Sequence, residues 1–395
     1  MPAEPLAVPV KPLVEPGPPL TPAQLQRYAR HLVLPDLGGD GQRRLLAARV
    51  LVVGAGGLGS PVLQYLAAAG VGTLGVVDAD TVDVTNLQRQ VVHGVDDVGR
   101  LKVDSAASAL ARVNPEVRVV RHAERLSSAN ALEVLRGYDL VVDGADNFPT
   151  RYLVSDACEV LNLPCVWGSI FRYDGQVSVF WAHPHDGTPG VTYRDLHPSP
   201  PAPGAVPSCE QAGVFGAVCG TIGSAMAFEV LKLLAGVGDS LLGRLTVFDG
   251  QRFSWRTIDV RADPSRVPVT SLEAPAAAVE APAAGELTPS ELATMLRERD
   301  SGERDFVLVD VREEWEAQIC AVPGSSLVPM AHWADPAQTV RAVSAGRPVV
   351  LYCKSGARSG RLLDALRAAD VDGVTHLRGG VLAWIDEIDP AQPRY

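Results

Sequence analysis

Two short segments of this chain place chemically active side chains where a strand gives way to a helix. Cys353-Lys354-Ser355-Gly356-Ala357-Arg358 follows the apolar run Pro348–Tyr352, which reads as a strand, and precedes a helix-like segment. A cysteine at that junction meets the unpaired N–H groups and partial positive charge of a helix N-terminus. Arg358 adds a second positive group, so the sulfur can be anionic near neutral pH. Far upstream, Gly54-Ala55-Gly56-Gly57-Leu58-Gly59 supplies G-x-G-x-x-G between a strand and a helix, and Asp78 ends the next strand. Glycines let the backbone approach phosphates, the helix dipole favours their charge, and a carboxylate at that spacing suits a ribose. Sulfur chemistry and nucleotide chemistry are therefore joined on one chain.

The glycine loop alone fits NAD enzymes, flavoproteins and ATP-using adenylating enzymes alike. No basic residue directly follows Asp78, which disfavours a 2′-phosphate. The downstream run Asp78-Ala-Asp-Thr-Val-Asp-Val-Thr-Asn86-Leu-Gln-Arg89-Gln90, then Lys102, then Asp143-Gly-Ala-Asp146-Asn147 discriminates further. Over residues 21–268 it resembles the MoeB/ThiF family of ubiquitin-activating-type enzymes, which adenylate the C-terminal glycine of a small β-grasp carrier protein. By motif position the resemblance implies an ATP site built from Gly54, Gly56, Gly57, Gly59, Asp78, Asp80, Thr85, Asn86, Leu87, Gln88, Arg89, Gln90, Lys102, Asp146 and Asn147. Arg89, Lys102 and Asp146 would be catalytic, with Asp146 holding magnesium. The chemistry independently asks for such a set: a carboxylate attacking an α-phosphate meets like charge, and pyrophosphate must leave neutralised. Arg30 matches a family arginine that reaches the partner subunit's ATP, which implies a homodimer.

Family members often hold a zinc ion with two C-x-x-C pairs. Here Thr192-Tyr-Arg-Asp195 and Ser265-Arg-Val-Pro268 stand in those places, so no structural zinc is expected. His183, His185 and His197 fall in Pro-rich loop and are read as loop residues rather than ligands. Cys209 matches the cysteine that in some sulfur-transferring relatives attacks the carrier adenylate. The alternative for it is a small buried hydrophobe, the reading preferred for Cys158, Cys165 and Cys219.

The C-terminal segment resembles a rhodanese domain through Asp310-Val-Arg312, the Cys353–Arg358 loop with Ser359, and Leu377-Arg-Gly-Gly-Val-Leu-Ala-Trp384. The resemblance implies a persulfide on Cys353, a loop fixed by Arg358, and positive potential from Lys354. A Cys-x5-Arg phosphatase is the rival, but only four residues separate Cys353 from Arg358. The fusion resembles the MoeZ type of adenylyltransferase/sulfurtransferase. It implies a carrier of the MoaD, CysO or ThiS kind as partner, a persulfide or thiosulfate as sulfur donor, and use in molybdopterin, cysteine or thiamine biosynthesis. Competing readings are an NAD-dependent oxidoreductase fused to a rhodanese domain, which leaves Arg89, Lys102 and Asp146 without a role, and a non-catalytic scaffold.

The elements that must position these residues divide the chain. Residues 1–20 read as a disordered Pro-rich tail, 21–268 as the adenylation domain, 269–285 as an Ala/Pro linker, and 286–395 as the rhodanese-like domain. Thr21-Pro-Ala-Gln24 and Thr288-Pro-Ser-Glu291 each spell a helix start with an N-cap threonine, a first-turn proline and a capping-box partner. β-Branched runs alternating with helix-like stretches predict an α/β, Rossmann-like parallel sheet extended by antiparallel strands, and then a small α/β domain. The stretch Gln211–Phe228 lacks charge but is short for a membrane span, and reads as a loop entering a core helix. With 46 acidic against 35 basic residues the net charge is −11, which disfavours nucleic acid and anionic membrane surfaces. Six cysteines without a C-x-x-C pair, and no signal-like N-terminus, fit a cytoplasmic protein.

Overall fold

In the computed structural model, which describes residues 10–201, 213–272 and 285–393, strand β1 (Arg49–Val53) is buried from Val50 onward. Val50 and Val52 face one core and Leu51 and Val53 the other. This continuous apolar run is what a parallel strand covered on both faces requires. Three helices precede it: α1 (Pro22–Arg27), α2 (Ala29–Leu32) and α3 (Gly38–Ala47). After β1 come α4 (Gly59–Ala69), β2 (Thr73–Val77), α5 (Lys102–Val113), β3 (Arg118–His122), α6 (Ala131–Leu135), β4 (Leu140–Asp143), α7 (Phe148–Leu161) and β5 (Cys165–Phe171). Then follow β6 (Asp174–Phe180), α8 (Tyr193–Leu196), α9 (Gly216–Ala235), β7 (Arg244–Asp249) and β8 (Ser254–Asp259). The strand order is β3-β2-β1-β4-β5-β6-β7-β8, parallel through β5 and antiparallel beyond it. Strand order reverses at β1, where β2 and β4 flank it, which opens a crevice outside the carboxyl ends of the strands.

Helix α9 is the described helix long and apolar enough to cross a membrane, yet over half of its most apolar window is buried. It packs on α4, β5 and β6, a core role that accounts for its missing charges. Strand β5 escapes the sequence pattern because Gly168 interrupts it. A Cβ there would lie 2.3 Å from the Met226 sulfur of α9, so the glycine is a packing requirement.

The second unit, Ala277–Tyr395, contains β9 (Glu286–Leu287), α10 (Pro289–Asp300), β10 (Val307–Asp310), α11 (Glu314–Ile319), β11 (Ser326–Leu327), α12 (Pro336–Ser344), β12 (Val349–Tyr352), α13 (Ala357–Ala368), β13 (Val374–Leu377) and α14 (Gly380–Glu387). Its sheet is parallel in the order β11-β10-β12-β13-β9. Strands β9 and β11 have two residues each, too few for any periodicity to show in sequence. Both capping boxes form: Thr21 and Thr288 each accept from the backbone N–H three residues on, and the Gln24 and Glu291 side chains reach back.

Two boundaries differ from the sequence reading. Residues 10–20 are not a loose tail: Val10, Leu13 and Val14 pack on the main core. The Val10 and Leu13 N–H groups donate to Gly238 and Leu233 carbonyls at 3.2 and 3.0 Å, and Arg43 Nε donates to the Gly17 carbonyl at 2.7 Å. Prolines pre-extend this segment, so a few apolar anchors suffice to order it. Residues 1–9 lie outside those described. The linker also begins later than residue 269. Val269 donates its N–H to Glu159 at 3.2 Å and Leu272 packs on the second cluster, while residues 273–284 lie outside those described.

The two segments standing in the places of the cysteine pairs are joined by charge. Arg266 Nε lies 3.2 Å from Asp195, and its two terminal nitrogens each lie 3.0 Å from Glu159. Both carboxylates are almost fully buried. Arg266→Ala leaves two buried carboxylates uncompensated and should destabilise the first unit by about 3 kcal/mol. Denaturant unfolding checks this, and an unchanged midpoint would refute it.

Candidate functional site

The crevice at the carboxyl ends of β1, β2 and β4 is lined by Gly54, Gly56, Gly57, Asp78, Asp80, Arg89, Gln90, Lys102, Asp146 and Asn147. The turn after β1 needs its glycines for definite reasons. Gly54 has φ +90°, and a Cβ on Gly59 would sit 1.9 Å from the Gly54 carbonyl oxygen. Gly59 therefore closes the turn from within helix α4 instead of lining the crevice. Asp78 holds the loop, its two oxygens accepting from the Ala55 and Asp80 N–H groups at 2.9 Å each. Burial raises its carboxyl above the usual range, with Lys102 and these hydrogen bonds opposing. Its remaining lone pairs can still accept from a ribose hydroxyl.

Lys102 opens helix α5 and sets Nζ 3.1 Å from Asp80. Arg89 follows a 3-10 turn at Val84–Asn86, and its guanidinium donates to the Thr85 carbonyl at 2.9 Å. Asp83 caps that turn, while Asn86 Oδ1 accepts from the Asp83 N–H at 3.1 Å. Thr85, Asn86 and Leu87 thus build the turn that aims Arg89 and do not line the crevice. Gln88 also lies outside it: its carbonyl abuts Gly216, where a Cβ would lie 2.2 Å away. Arg30 is exposed on α2 and is not among the lining residues of its own chain.

Gln90 is 5% exposed, lines the crevice, and its Oε1 has no hydrogen-bond partner. An orphaned buried acceptor there is what a site waiting for a ligand's hydrogen-bond donor presents, while Arg89 and Lys102 supply positive charge for an anionic group. Asp146 is exposed and accepts from Asn147 Nδ2 at 3.3 Å. Among the described residues no three His, Cys, Asp or Glu side chains group to hold a metal. One carboxylate fits magnesium arriving with nucleotide phosphates, since that ion keeps waters and uses few protein ligands.

Sequence reasoning missed Glu124, Arg125, Leu126 and Arg151, which also line the crevice. Arg151 donates to the Ala145 carbonyl at 3.1 Å and lies 5.8 Å over the Trp167 ring. Beneath it Asp143 is fully buried, and desolvation, opposed by Arg151, pushes its carboxyl up to about 6. His93 was missed too. Ser105 lies 2.8 Å from its Nδ1 and the Ala55 carbonyl 3.0 Å from its Nε2, so it props the glycine loop from below. Burial keeps its imidazole below the ordinary range. Cys219 packs where a Cβ on Gly57 would lie, 2.8 Å from its sulfur, which is the expected core role. Cys158 and Cys165 are buried as well. Cys209 lies outside the described residues.

In the second unit Cys353 follows β12 and is fully buried. Gly356, at φ +86°, caps α13 behind it. The first turn of α14 grips the loop: the Val381 and Leu382 N–H groups donate to the Cys353 and Lys354 carbonyls at 2.8 and 3.1 Å. The pair Gly379-Gly380 permits that approach, since a Cβ on Gly380 would lie 2.3 Å from the Cys353 carbonyl oxygen. Arg358 pairs with Glu316 through two contacts of 2.7 and 2.5 Å. The expected second positive charge for the sulfur is therefore balanced by a buried carboxylate, and Arg358 fastens the loop to α11. Glu316 is itself held in place by Arg312, which donates to its carbonyl at 3.3 Å, pairs with buried Asp310, and donates to the Cys320 carbonyl at 2.7 Å. Lys354 is buried.

A family model described as the ThiF family matches residues 28–269, and a rhodanese-like domain model matches residues 288–387. The chain is 47% identical to the probable adenylyltransferase/sulfurtransferase MoeZ of Mycobacterium tuberculosis, across 97% of this chain and 98% of that one. It is 54% identical to a sulfur carrier protein adenylyltransferase of Thermus thermophilus, across 63% of this chain and 92% of that one. Identity to the adenylyltransferase and sulfurtransferase MOCS3 of Bos taurus is 41%, across 98% and 91%. Among solved structures, E. coli MccB with ATP superposes with TM-score 0.53 at 22% identity, covering 62% of this chain and 74% of that one. That likeness concerns the fold.

Gly380→Ala should drive the Cys353 loop from its place and cost the second unit about 2–3 kcal/mol through positive φ and backbone collision. Unfolding of the second unit, followed by Trp fluorescence, checks the size. Stability equal to the parent's would refute the loop packing.

Proposed function

We propose a reaction sequence for this chain, which belongs to the ThiF family, carries a C-terminal rhodanese-like domain, and is an adenylyltransferase and sulfurtransferase. In the first unit the terminal carboxylate of a ubiquitin-like sulfur-carrier protein attacks the α-phosphate of ATP. An acyl–phosphate bond forms and the bond to pyrophosphate breaks. Arg89 and Lys102 neutralise charge on the phosphates as it shifts, Gln90 takes a polar contact, and Asp78 orients the ribose. Asp146 would hold magnesium, which when bound would supply further charge neutralisation. Arg30 of a second copy completes the crevice in a homodimer.

In the second unit Cys353 takes a sulfur atom from a desulfurase-type persulfide or thiosulfate. The terminal sulfur of the Cys353 persulfide attacks the carrier's acyl carbon and AMP leaves. A thiol then cleaves the S–S bond, and the carrier departs as a thiocarboxylate. Cys209 is the chain's own thiol for taking the carrier from the adenylate or resolving that disulfide. The carrier is of β-grasp type and the product serves molybdopterin, cysteine or thiamine assembly in the cytoplasm. The observation that supports the reading best is a crevice holding Arg89, Lys102, Asp146 and an unpartnered Gln90 on the same chain as a strand-to-helix cysteine.

Mass spectrometry of a β-grasp carrier incubated with enzyme, ATP, magnesium and a sulfur donor tests the sequence. Carrier-AMP should form, followed by a thiocarboxylate, and absence of carrier-AMP with MoaD-, CysO- and ThiS-type carriers would sink the adenylation reading. Cys353→Ala should keep carrier-AMP and lose the gain of sulfur, whereas full sulfuration by that variant would remove Cys353 from the pathway. Lys102→Met should cut thermal protection by ATP-magnesium, corresponding to about a tenfold loss of affinity.

A further inference from the structure

Behind Cys353 runs a line of buried polar side chains that the reaction above leaves without a role. Ser359 is fully buried on the first turn of α13. Its Oγ lies 3.6 Å from Cys353 Sγ, 3.3 Å from His376 Nδ1 and 3.1 Å from the Gly356 carbonyl. His376, on β13, is 6% exposed. Its Nε2 lies 3.5 Å from Glu286 Oε1, and Glu286 is its partner residue in the β13–β9 register. Asp364 and Arg367 of α13 also face the imidazole with their charges. Gly360 leaves room for the ring, since a Cβ there would lie 3.3 Å from the imidazole.

A serine hydroxyl carries one hydrogen and accepts two. Between a thiol and an imidazole it can occupy two states with the same number of protons. In one, the Cys353 S–H donates to Ser359 and the Ser359 O–H donates to His376 Nδ1. In the other, the Ser359 O–H points at a Cys353 thiolate and His376 Nδ1–H donates to Ser359. Passage between them moves one proton from sulfur to oxygen and one from oxygen to nitrogen, with no net gain or loss. Glu286 decides which nitrogen is free: its carboxylate beside Nε2 favours a hydrogen there, which leaves Nδ1 as acceptor and stabilises the imidazolium once formed.

We propose that Ser359, His376 and Glu286 form a proton relay that receives the Cys353 proton when the sulfur acts as a nucleophile, with His376 and Glu286 as positioning residues outside the loop itself. The proposal rests on the sulfur-accepting role given to Cys353 above. Burial holds the imidazole below its ordinary range, with Glu286 opposing, so at rest the ring presents a neutral Nδ1 to the Ser359 hydroxyl. The relay reaches β9, the strand by which the chain enters this unit, so the sulfur's protonation depends on that short edge strand being docked.

The test is a titration of the full-length protein by ultraviolet thiolate absorbance, taken as the difference between each protein and its Cys353→Ala counterpart. Ser359→Ala and His376→Gln should each reduce the Cys353 thiolate fraction at neutral pH by about tenfold. Glu286→Gln, a shape-preserving change, should shift the profile in the same direction by less. Nitrogen-15 spectra of histidine-labelled protein supply the reciprocal readout. His376 should stay protonated to higher pH with Cys353 present than in Cys353→Ala. Thiolate fractions of Ser359→Ala and Glu286→Gln within twofold of the parent, with no change at His376 on removing the cysteine, would overturn the relay. A merely structural role would lower the melting temperature and leave both titrations in place, which also overturns it. Sulfur loading from thiosulfate is followed alongside. If the parent accepts no sulfur while the titrations shift as expected, the relay stands and the sulfur-accepting reading fails.

Discussion

A parallel sheet buried on both faces cannot turn back on itself with hairpins, so each strand must be followed by a helix that returns over a face. Every strand-to-helix junction then falls on the same edge of the sheet, and each presents the N–H-rich start of a helix. Both candidate sites use this constraint. In the first unit it gathers the turn after β1, Asp78 after β2 and Asp146 after β4 into one crevice. In the second it sets Cys353 between β12 and α13 and brings the start of α14 against the same loop. Glycine appears where the backbone must then come closest, at Gly54 and Gly59 in one unit and Gly379-Gly380 in the other.

Charge inside these units is largely spent on holding loops. Arg358 is paired with Glu316, Glu316 is positioned by Arg312, and Arg312 is fixed by Asp310. Each member is buried or nearly so, and removing one would strand its partner away from water. The Arg266 bridge to Glu159 and Asp195 follows the same logic, tying the segment around residue 266 to α7 and α8. At the crevice of the first unit the balance differs. Lys102 and Arg89 border an open space, and Gln90 keeps a buried oxygen without a partner. Polar capacity left unsatisfied there is capacity for a ligand, whereas the satisfied pairs elsewhere are scaffolding.

Much of this was legible in the residues. The two Thr-Pro helix starts formed as spelled, because a capping box is satisfied entirely within four residues. Strands at Leu140–Asp143 and Val374–Leu377 were legible because apolar β-branched residues bounded by turn formers encode them locally. The packed segment 10–20 was not legible: its order comes from Val10, Leu13 and Val14 meeting a core made by residues far away in sequence. The same holds for β5, where Gly168 reads as a breaker until Met226 fills the space beside it.

The sequence by itself determined the chemistry: a glycine turn followed by an acid, a set of Arg, Lys and Asp suited to phosphates, and a cysteine ahead of a helix. Those are short-range patterns, and their physics is carried by neighbouring residues. Only the tertiary structure decided which side chains meet a ligand and which merely support others. Thr85 and Asn86 turned out to aim Arg89, Arg358 to neutralise Glu316, and His376 to stand behind Ser359 although sixteen residues separate them. Such roles depend on pairing between strands and helices distant along the chain, where a difference of a few ångströms separates a hydrogen bond from no contact, and no local pattern encodes that distance.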